Sequence, residues 1–189
     1  MKPIYILEHL EPKLYKWCLI EYENISKIIG KNNLWFTNIK RKSKKLEKLG
    51  KTFKQSVKDM NLKKVCVLDP ETQLTLKPSD KKKFKYFVFG GILGDYPPKK
   101  RTKKELTKFM KNASVRNIGK RQFPTDQAFL VTKRILSGAS FKDLKFKYKL
   151  TIPISKYSDV TLPFNYLVEN NKPAINPRII SYLKYKKGF

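Results

Sequence analysis

The sequence contains few of the side chains that bind transition metals or act as nucleophiles. It has one histidine, His9, and two cysteines, Cys18 and Cys66, which are too far apart for a CxxC pair. A tetrahedral zinc set cannot be assembled from these residues, and there is no Gly-x-Ser-x-Gly elbow. The sequence therefore predicts no metal site, a structural role for His9, and buried, reduced thiols.

Long apolar runs are also absent. No stretch of 18 apolar residues occurs and the first residues do not resemble a secretory signal, so we expect no membrane span and a cytoplasmic location. Apolar residues still make up 40% of the 189 residues, including 12 Phe and 10 Tyr, which is enough for a folded core. The length predicts a single domain over residues 1–189.

Acidic residues are scarce beside basic ones, 15 against 43, which gives a net charge of +28. One interpretation is an anionic partner such as ribosomal RNA, because clustered cations release counterions from phosphates. The other is a compositional bias toward lysine, since only six of the basic residues are Arg and a solvated lysine face needs no partner. Composition alone does not separate the two.

Apolar spacing predicts strands that alternate with helices. Five runs have the length of buried strands: residues 4–7, 34–37, 65–68, 86–89 and 114–118. Helical spacing over residues 14–29 ends at Gly30, and a later helix begins where Thr125 can cap it and ends at Gly138. This alternation predicts an α/β fold with a mostly parallel sheet and flanking helices.

The segment at about residues 40–64 is rich in lysine. Its apolar residues Leu46, Leu49, Phe53 and Val57 have helical spacing, which favours a solvated helix with a narrow apolar stripe. An arm that contacts RNA is the alternative.

Three unusual loops follow predicted strands, at residues 68–70, 90–95 and 117–126. Loops at the carboxyl ends of parallel strands form the ligand crevice of such sheets. Three glycines within residues 90–95 allow positive φ and close approach of the backbone to a ligand, with Asp95 able to accept from its hydroxyls. A purely structural turn is the alternative, and the pattern matches neither a P-loop nor GxGxxG.

Three glutamates near the N-terminus stand out because acids are rare. Glu8 ends the first strand, Glu11 follows it, and Glu21 lies one helical turn after Trp17. These acids could form surface salt bridges with the abundant lysines, which is the simpler interpretation. They could instead form an acidic pocket beside Trp17 for a cationic side chain.

The segment from Tyr86 to Thr102, YFVFGGILGDYPPKKRT, closely resembles the signature of a group within the SPOUT superfamily of methyltransferases. That group includes fungal enzymes that methylate an arginine of a small-subunit ribosomal protein, together with archaeal relatives. Shorter matching pieces keep the same order along nearly the whole chain: Glu8-His9 with Glu11, Trp17, Glu21-Tyr22, Val67 to Pro70, Gly119, Gln122, Thr125-Asp126, and Leu162 to Phe164 with Tyr166. Two places depart from the group, the lysine-rich segment and Tyr96, where relatives tend to have His.

The resemblance implies a SPOUT-type α/β fold with a deep trefoil knot toward the C-terminal half. It also implies S-adenosyl-L-methionine as cofactor, held in the knot loops. The cofactor contacts expected there are Leu68, Asp69, Pro70, Phe89, Gly90, Gly91, Leu93, Gly94, Asp95, Ile118, Gly119 and Thr125. For catalysis we expect Glu8, with Glu21 and Asp95 in reserve, because a carboxylate must orient a guanidinium that stays protonated. For substrate binding we expect Glu8, Glu11, Trp17, Glu21 and Arg101.

Two other functions stay open. Methylation of rRNA or tRNA is favoured by the positive charge and by Arg101, Arg116 and Arg121 near the predicted site. A non-catalytic RNA-binding or ribosome-assembly factor is also compatible with the composition. Many SPOUT proteins are dimers, so either a monomer or a homodimer is expected.

Overall fold

The computed structural model describes residues 2–185. Nine strands lie in that range: β1 Ile4–His9, β2 Leu34–Thr37, β3 Lys51–Thr52, β4 Val65–Leu68, β5 Tyr86–Gly91, β6 Ser114–Arg116, β7 Phe146–Ser155, β8 Ser158–Glu169 and β9 Lys172–Pro173. The same range contains six α-helices: α1 Lys16–Ile29, α2 Lys44–Leu49, α3 Asp80–Lys83, α4 Arg101–Glu105, α5 Thr125–Leu136 and α6 Pro177–Tyr185. Each of these helices is too short or too polar to cross a bilayer.

Strands β1 to β6 form one sheet in the order β3-β2-β1-β5-β4-β6, with all pairs parallel. The central strand β1 pairs Tyr5 with Leu34 of β2 on one side and with Phe87 of β5 on the other. A central parallel strand is covered on both faces, which is why β1 and β5 read as uninterrupted apolar runs. The predicted mostly parallel sheet with flanking helices is confirmed; the knot stays a prediction.

Side chains of β1 alternate between two separate cores. Tyr5 and Leu7 join the core under helices α1 and α5, which pack against each other. Ile6 points the opposite way and contacts the smaller core that contains Val57 and Leu106. Because of this period of two, an acidic side chain on β1 can meet only residues packed on its own face of the sheet.

A second, antiparallel sheet follows the parallel one, in the order β7-β8-β9. Ile152 and Leu162 from this sheet pack with Ile179 of α6 and Ile20 of α1 in a third apolar cluster. The alternation of strands and helices did not predict this sheet. Its last turn, residues 169–172, has positive φ at both of its asparagines.

Two local predictions are wrong. Residues 40–64 do not form one solvated helix: α2 ends before Gly50, whose Cβ position lies 2.5 Å from the Leu34 carbonyl oxygen, and edge strand β3 follows. Leu46 and Val57 are fully buried, so the segment is part of the fold. Thr125 does not cap α5, because Pro124 occupies the N-cap position and Thr125 is the first helical residue.

Candidate active site

A cleft lies at the carboxyl ends of β4, β5 and β6, where the three predicted loops meet. Its volume is about 160 Å³. Eleven of the twelve residues expected to contact a cofactor line it: Leu68, Asp69, Pro70, Phe89, Gly90, Leu93, Gly94, Asp95, Ile118, Gly119 and Thr125. The parallel sheet therefore brings together residues that lie up to 57 positions apart in the sequence.

The walls of this cleft suit a ligand with one flat apolar part and several polar groups. Phe89, Ile118 and Ala128 contribute apolar surface, while Glu71 and Asp95 place carboxylates at the edge. An adenine ring matches the apolar part, and carboxylates can bind hydroxyl and ammonium groups. The residues present therefore fit S-adenosylmethionine.

Gly91 is the one expected cofactor contact that does not line the cleft. A Cβ at this position would meet Leu7 Cδ2 at 2.5 Å and the Tyr22 hydroxyl at 2.6 Å, both in the sheet core. Gly91 ends β5 and has no positive φ, nor do Gly90 and Gly94. These glycines are needed for close packing, not for a left-handed turn, so the expectation of positive φ there is wrong.

The glycine loop is tied to the loop after β6. With its amide oriented to satisfy both groups, the Gln122 side chain bonds the backbone N–H and carbonyl of Asp95, each at 3.1 Å. A Cβ on Gly94 would overlap Gln122 and the ring of Phe164. The backbone carbonyl of Gln122 in turn accepts from the N–H of Asn165 in β8. The antiparallel sheet thus helps to fix the cleft.

Residues 95–100 close one side of the cleft through two ion pairs. Lys99 Nζ lies 2.9 Å from Asp95 Oδ1, and Lys100 Nζ lies 2.8 Å from Glu71 Oε2. The second pair links two walls of the cleft, and the hydrogen bond that Lys100 donates to Glu71 raises the pKa of Lys100. Both lysine side chains are more than 60% exposed, so each pair stabilises the closed cleft only weakly. Asp95, a reserve catalytic residue in the sequence prediction, therefore lies at the mouth with a lysine bound to it.

Arg101 and Glu11 were expected to bind substrate, but the structure pairs them with each other. Arg101 Nη1 donates to Glu11 Oε1 at 2.7 Å, its Nε donates to Glu105 Oε1 at 2.7 Å, and Nη2 reaches the Leu10 carbonyl. The same Glu11 oxygen accepts from the backbone N–H of Leu93. These contacts, led by the hydrogen bond with Glu105, raise the pKa of Arg101. The arrangement is a clamp that positions the glycine loop.

Glu8 is buried away from the cleft. Its carboxylate accepts from Thr37 Oγ1 and Ser56 Oγ, each at 2.5 Å, and from the N–H of Val57 at 3.0 Å. Its side chain is fully buried, and it points to the face of the sheet opposite α1. In this structure the carboxylate anchors the segment around residue 56 to β1, and a role of Glu8 toward substrate stays a prediction.

Glu21 is buried beside the cleft, in contact with one of its wall residues. Its carboxyl group is hydrogen-bonded by the side chain and backbone N–H of Thr125 and by the side chain of Trp17. Because Thr125 lines the cleft, Glu21 lies one side chain behind the cleft surface. Of the three glutamates expected to form an acidic pocket beside Trp17, Glu21 does contact it.

A second acid, Asp126, shares this site and was not predicted to be part of it. Asn24 Nδ2 donates to Asp126 Oδ2 at 2.8 Å. Burial raises the pKa of Glu21 to about 8, with the charge of Asp126 as the second cause, and burial raises the pKa of Asp126 to about 6. Burial raises the pKa of the Tyr166 hydroxyl, and the charges of Asp126 and Glu21 add to this effect. Burial thus favours the protonated forms of both acids, and a cation bound beside them would favour their ionised forms.

The remaining polar residues predicted to be structural are buried. His9 Nδ1 lies 2.8 Å from the Tyr22 hydroxyl, and burial lowers the pKa of the imidazole, which confirms a structural histidine. Cys18 and Cys66 are buried free thiols, each with its pKa raised to about 12 by burial. In residues 2–185, no three metal-binding side chains come close enough together to hold an ion.

Comparison with known proteins gives one family over nearly the whole chain. The family model described as "Protein arginine N-methyltransferase SFM1-like" matches residues 4–188. The Saccharomyces cerevisiae protein arginine N-methyltransferase SFM1 is 33% identical, and the match covers 95% of this chain and 93% of the yeast protein.

Solved structures agree with this match. The yeast arginine methyltransferase SFM1 crystallised with SAM superposes with a TM-score of 0.89 at 32% identity, covering 97% of this chain and 91% of that one. Trm10 from Thermococcus kodakaraensis has a TM-score of 0.56 at 18% identity, covering 75% of this chain and 96% of that one, and supports the fold alone. The chain described here thus belongs to the SFM1-like family of protein arginine N-methyltransferases.

Proposed function

We propose that this protein is a cytoplasmic enzyme that transfers a methyl group from S-adenosylmethionine to an arginine of a small-subunit ribosomal protein. The observation that carries the proposal is the buried Glu21–Asp126 pair directly behind the cleft. Within residues 2–185, neither acid lies within ion-pair distance of a lysine or arginine side chain, so the buried pair can receive a cation from outside. Family membership agrees with an arginine acceptor.

The loops after β4, β5 and β6 would hold the cofactor. Phe89 and Ile118 would contact the adenine, the backbone at Gly90 would allow close approach, and Asp95 would exchange Lys99 for a polar group of the ligand. When bound, the cofactor supplies an activated methyl group on a sulfonium. The yeast relative was crystallised with SAM, SAH and MTA in separate structures, which supports this assignment.

Glu21 would orient the acceptor. A guanidinium stays protonated at neutral pH and has no free lone pair, so one N–H must be aligned and its charge localised before the nitrogen can attack. An arriving guanidinium favours the ionised form of Glu21, whose carboxylate then accepts that N–H. Thr125 and Trp17 hold the carboxylate in place through their own hydrogen bonds.

RNA methylation is the nearest rival, and the arginines thought to favour it are already occupied. Arg101 is bound by Glu11 and Glu105, and Arg116 Nε lies 3.3 Å from Asp80 Oδ2. Arg121 stacks 4.5 Å over the Tyr148 ring. Acids thus neutralise Arg101 and Arg116, whereas Arg121 keeps its charge, so only part of the positive charge expected to favour RNA is free.

The test is methyl transfer from labelled S-adenosylmethionine to small ribosomal subunits, followed by separate digestion of protein and RNA. We expect the label in methylarginine of one ribosomal protein. If nuclease digestion releases the label instead, the protein methylates RNA and the proposal is wrong. Absence of S-adenosylmethionine binding by calorimetry would favour a non-catalytic factor.

A further inference from the structure

A second depression, which we call the basic groove, lies beside the cleft at the carboxyl ends of β1 and β2. It is lined by residues 9–14 and by residues 38–43 with Leu46, and its volume is about 830 Å³. Asn38 Nδ2 donates to the His9 carbonyl at 2.6 Å, which ties the two lining loops together. The groove is therefore a formed feature of the sheet edge.

The rim of the groove is positively charged. Four exposed cations line it: Lys13, Lys40, Arg41 and Lys42. Within residues 2–185, none of the four lies within ion-pair distance of a carboxylate. The single acid in the lining is Glu11, and Arg101 already binds it. The lysines at the cleft mouth differ, because Lys99 and Lys100 each have an acidic partner.

The floor of the groove is apolar. Half-buried Leu10 and Leu14 contribute it together with the more deeply buried Ile39 and Leu46, and Tyr22 holds the His9 ring through its Nδ1. A cationic rim above an apolar floor matches a chain that carries phosphates outside and flat bases inside.

The groove and the cleft share a wall. Glu11 lines the groove and bonds Arg101, which lines the cleft, and the Leu10 carbonyl bonds the same guanidinium. A partner bound in the groove therefore lies next to the cleft, across the Glu11–Arg101 pair.

We propose that the basic groove binds single-stranded RNA, so that the enzyme recognises its acceptor protein beside exposed RNA. RNA binding itself does not depend on the activity proposed above; only its role in presenting the acceptor rests on that proposed function. A basic ribosomal protein segment is repelled by this rim, whereas phosphates gain counterion-release free energy from it. An acidic peptide lacks the flat bases that match the floor.

The experiment measures binding of a fluorescent 20-nucleotide single-stranded RNA by anisotropy at several salt concentrations. One variant carries Lys13→Ala, Lys40→Ala, Arg41→Ala and Lys42→Ala. The matched control also loses four charges, at exposed lysines on or near the antiparallel sheet: Lys142, Lys147, Lys156 and Lys172. Circular dichroism checks that both variants keep the fold.

We expect the groove variant to bind at least tenfold more weakly and the control to change less than threefold. Loss of four phosphate contacts should also lower the slope of log K against log salt by about 3. Equal weakening in both variants would mean diffuse attraction to the whole surface and would overturn the proposal. If an acidic peptide binds more tightly than RNA, and the groove variant loses that binding, the partner of the groove is a protein and the proposal is overturned. Methylation of isolated ribosomal protein is measured in parallel, so failure of the activity is distinguishable from failure of RNA binding.

Discussion

Replacing Glu21 by Gln should make the protein more stable at alkaline pH while lowering its methyl-transfer rate. The pKa of Glu21 is about 8 in the folded protein against 4.5 for a free side chain, so the folded state binds this proton more tightly than the unfolded state. For a carboxyl group whose pKa is raised, the free energy of unfolding falls as pH rises between these two values. The wild type therefore loses stability from about pH 4.5 to about pH 8 through this one group.

The size of the effect follows from the shift. At 1.36 kcal/mol per pKa unit, the shift of Glu21 corresponds to roughly 5 kcal/mol above pH 8. That is a large part of the 5–15 kcal/mol by which domains are usually stable. The Gln variant cannot ionise, so we expect its advantage over the wild type to grow by several kcal/mol between pH 5 and pH 9.

Urea unfolding at pH 5, 7 and 9 measures this directly. The matched control is Glu23→Gln on the same helix, because Glu23 pairs with Arg178 at the surface, where an ion pair contributes about 1 kcal/mol or less. If wild type and Glu21→Gln lose stability in parallel between pH 5 and pH 9, the buried carboxyl is not held protonated and the reasoning fails.

Three further predictions concern the cleft. Gly91→Val should overpack the core and lower the free energy of unfolding, measured by urea, by about 1–3 kcal/mol or more. Unchanged stability together with lost cofactor binding would contradict the placement of Gly91 in the core. Lys100→Ala removes the ion pair with Glu71. Stopped-flow measurements should then show faster cofactor association, with an affinity that changes less than about fivefold. Slower association would show that the ion pair does not close the cleft. Glu11→Gln weakens the contacts of Glu11 with Arg101 and the glycine loop, so the cofactor Kd measured by calorimetry should rise about tenfold or more. An unchanged Kd would show that Glu11 does not position the loop.

The sheet and the cleft could be predicted from the sequence because both depend on local signals. Uninterrupted apolar runs such as Tyr86 to Phe89 mark buried parallel strands, and their carboxyl ends must meet at one edge. The loops at 68–70 and 90–95 therefore came together as expected.

The acids could not be sorted in the same way. Glu8 and Glu21 are both near Trp17 in sequence, but the alternation of β1 turns Glu8 to the opposite face. Asp126 looked like an ordinary first-turn acid of a helix. Its burial with Glu21 depends on the packing of α1 against α5, over 100 residues apart, and no local pattern encodes that contact.

The antiparallel sheet and the lysine-rich segment were not predicted either. Strand β7 alternates exposed polar residues with mostly half-buried apolar ones, so its sequence does carry the period-two signal of a strand. In residues 40–64, the apolar residues have helical spacing, but Leu46 and Val57 are buried by different neighbours on the two faces of the sheet.

The central claim is that the buried pair behind Thr125 receives the acceptor guanidinium. Single-turnover methyl transfer by Glu21→Gln, with cofactor affinity measured on the same sample, tests it most directly. We expect the rate to fall by about 10- to 100-fold, as loss of a charge-assisted hydrogen bond implies, while the cofactor Kd stays within twofold. A rate within threefold of the wild type at unchanged cofactor affinity would contradict the account.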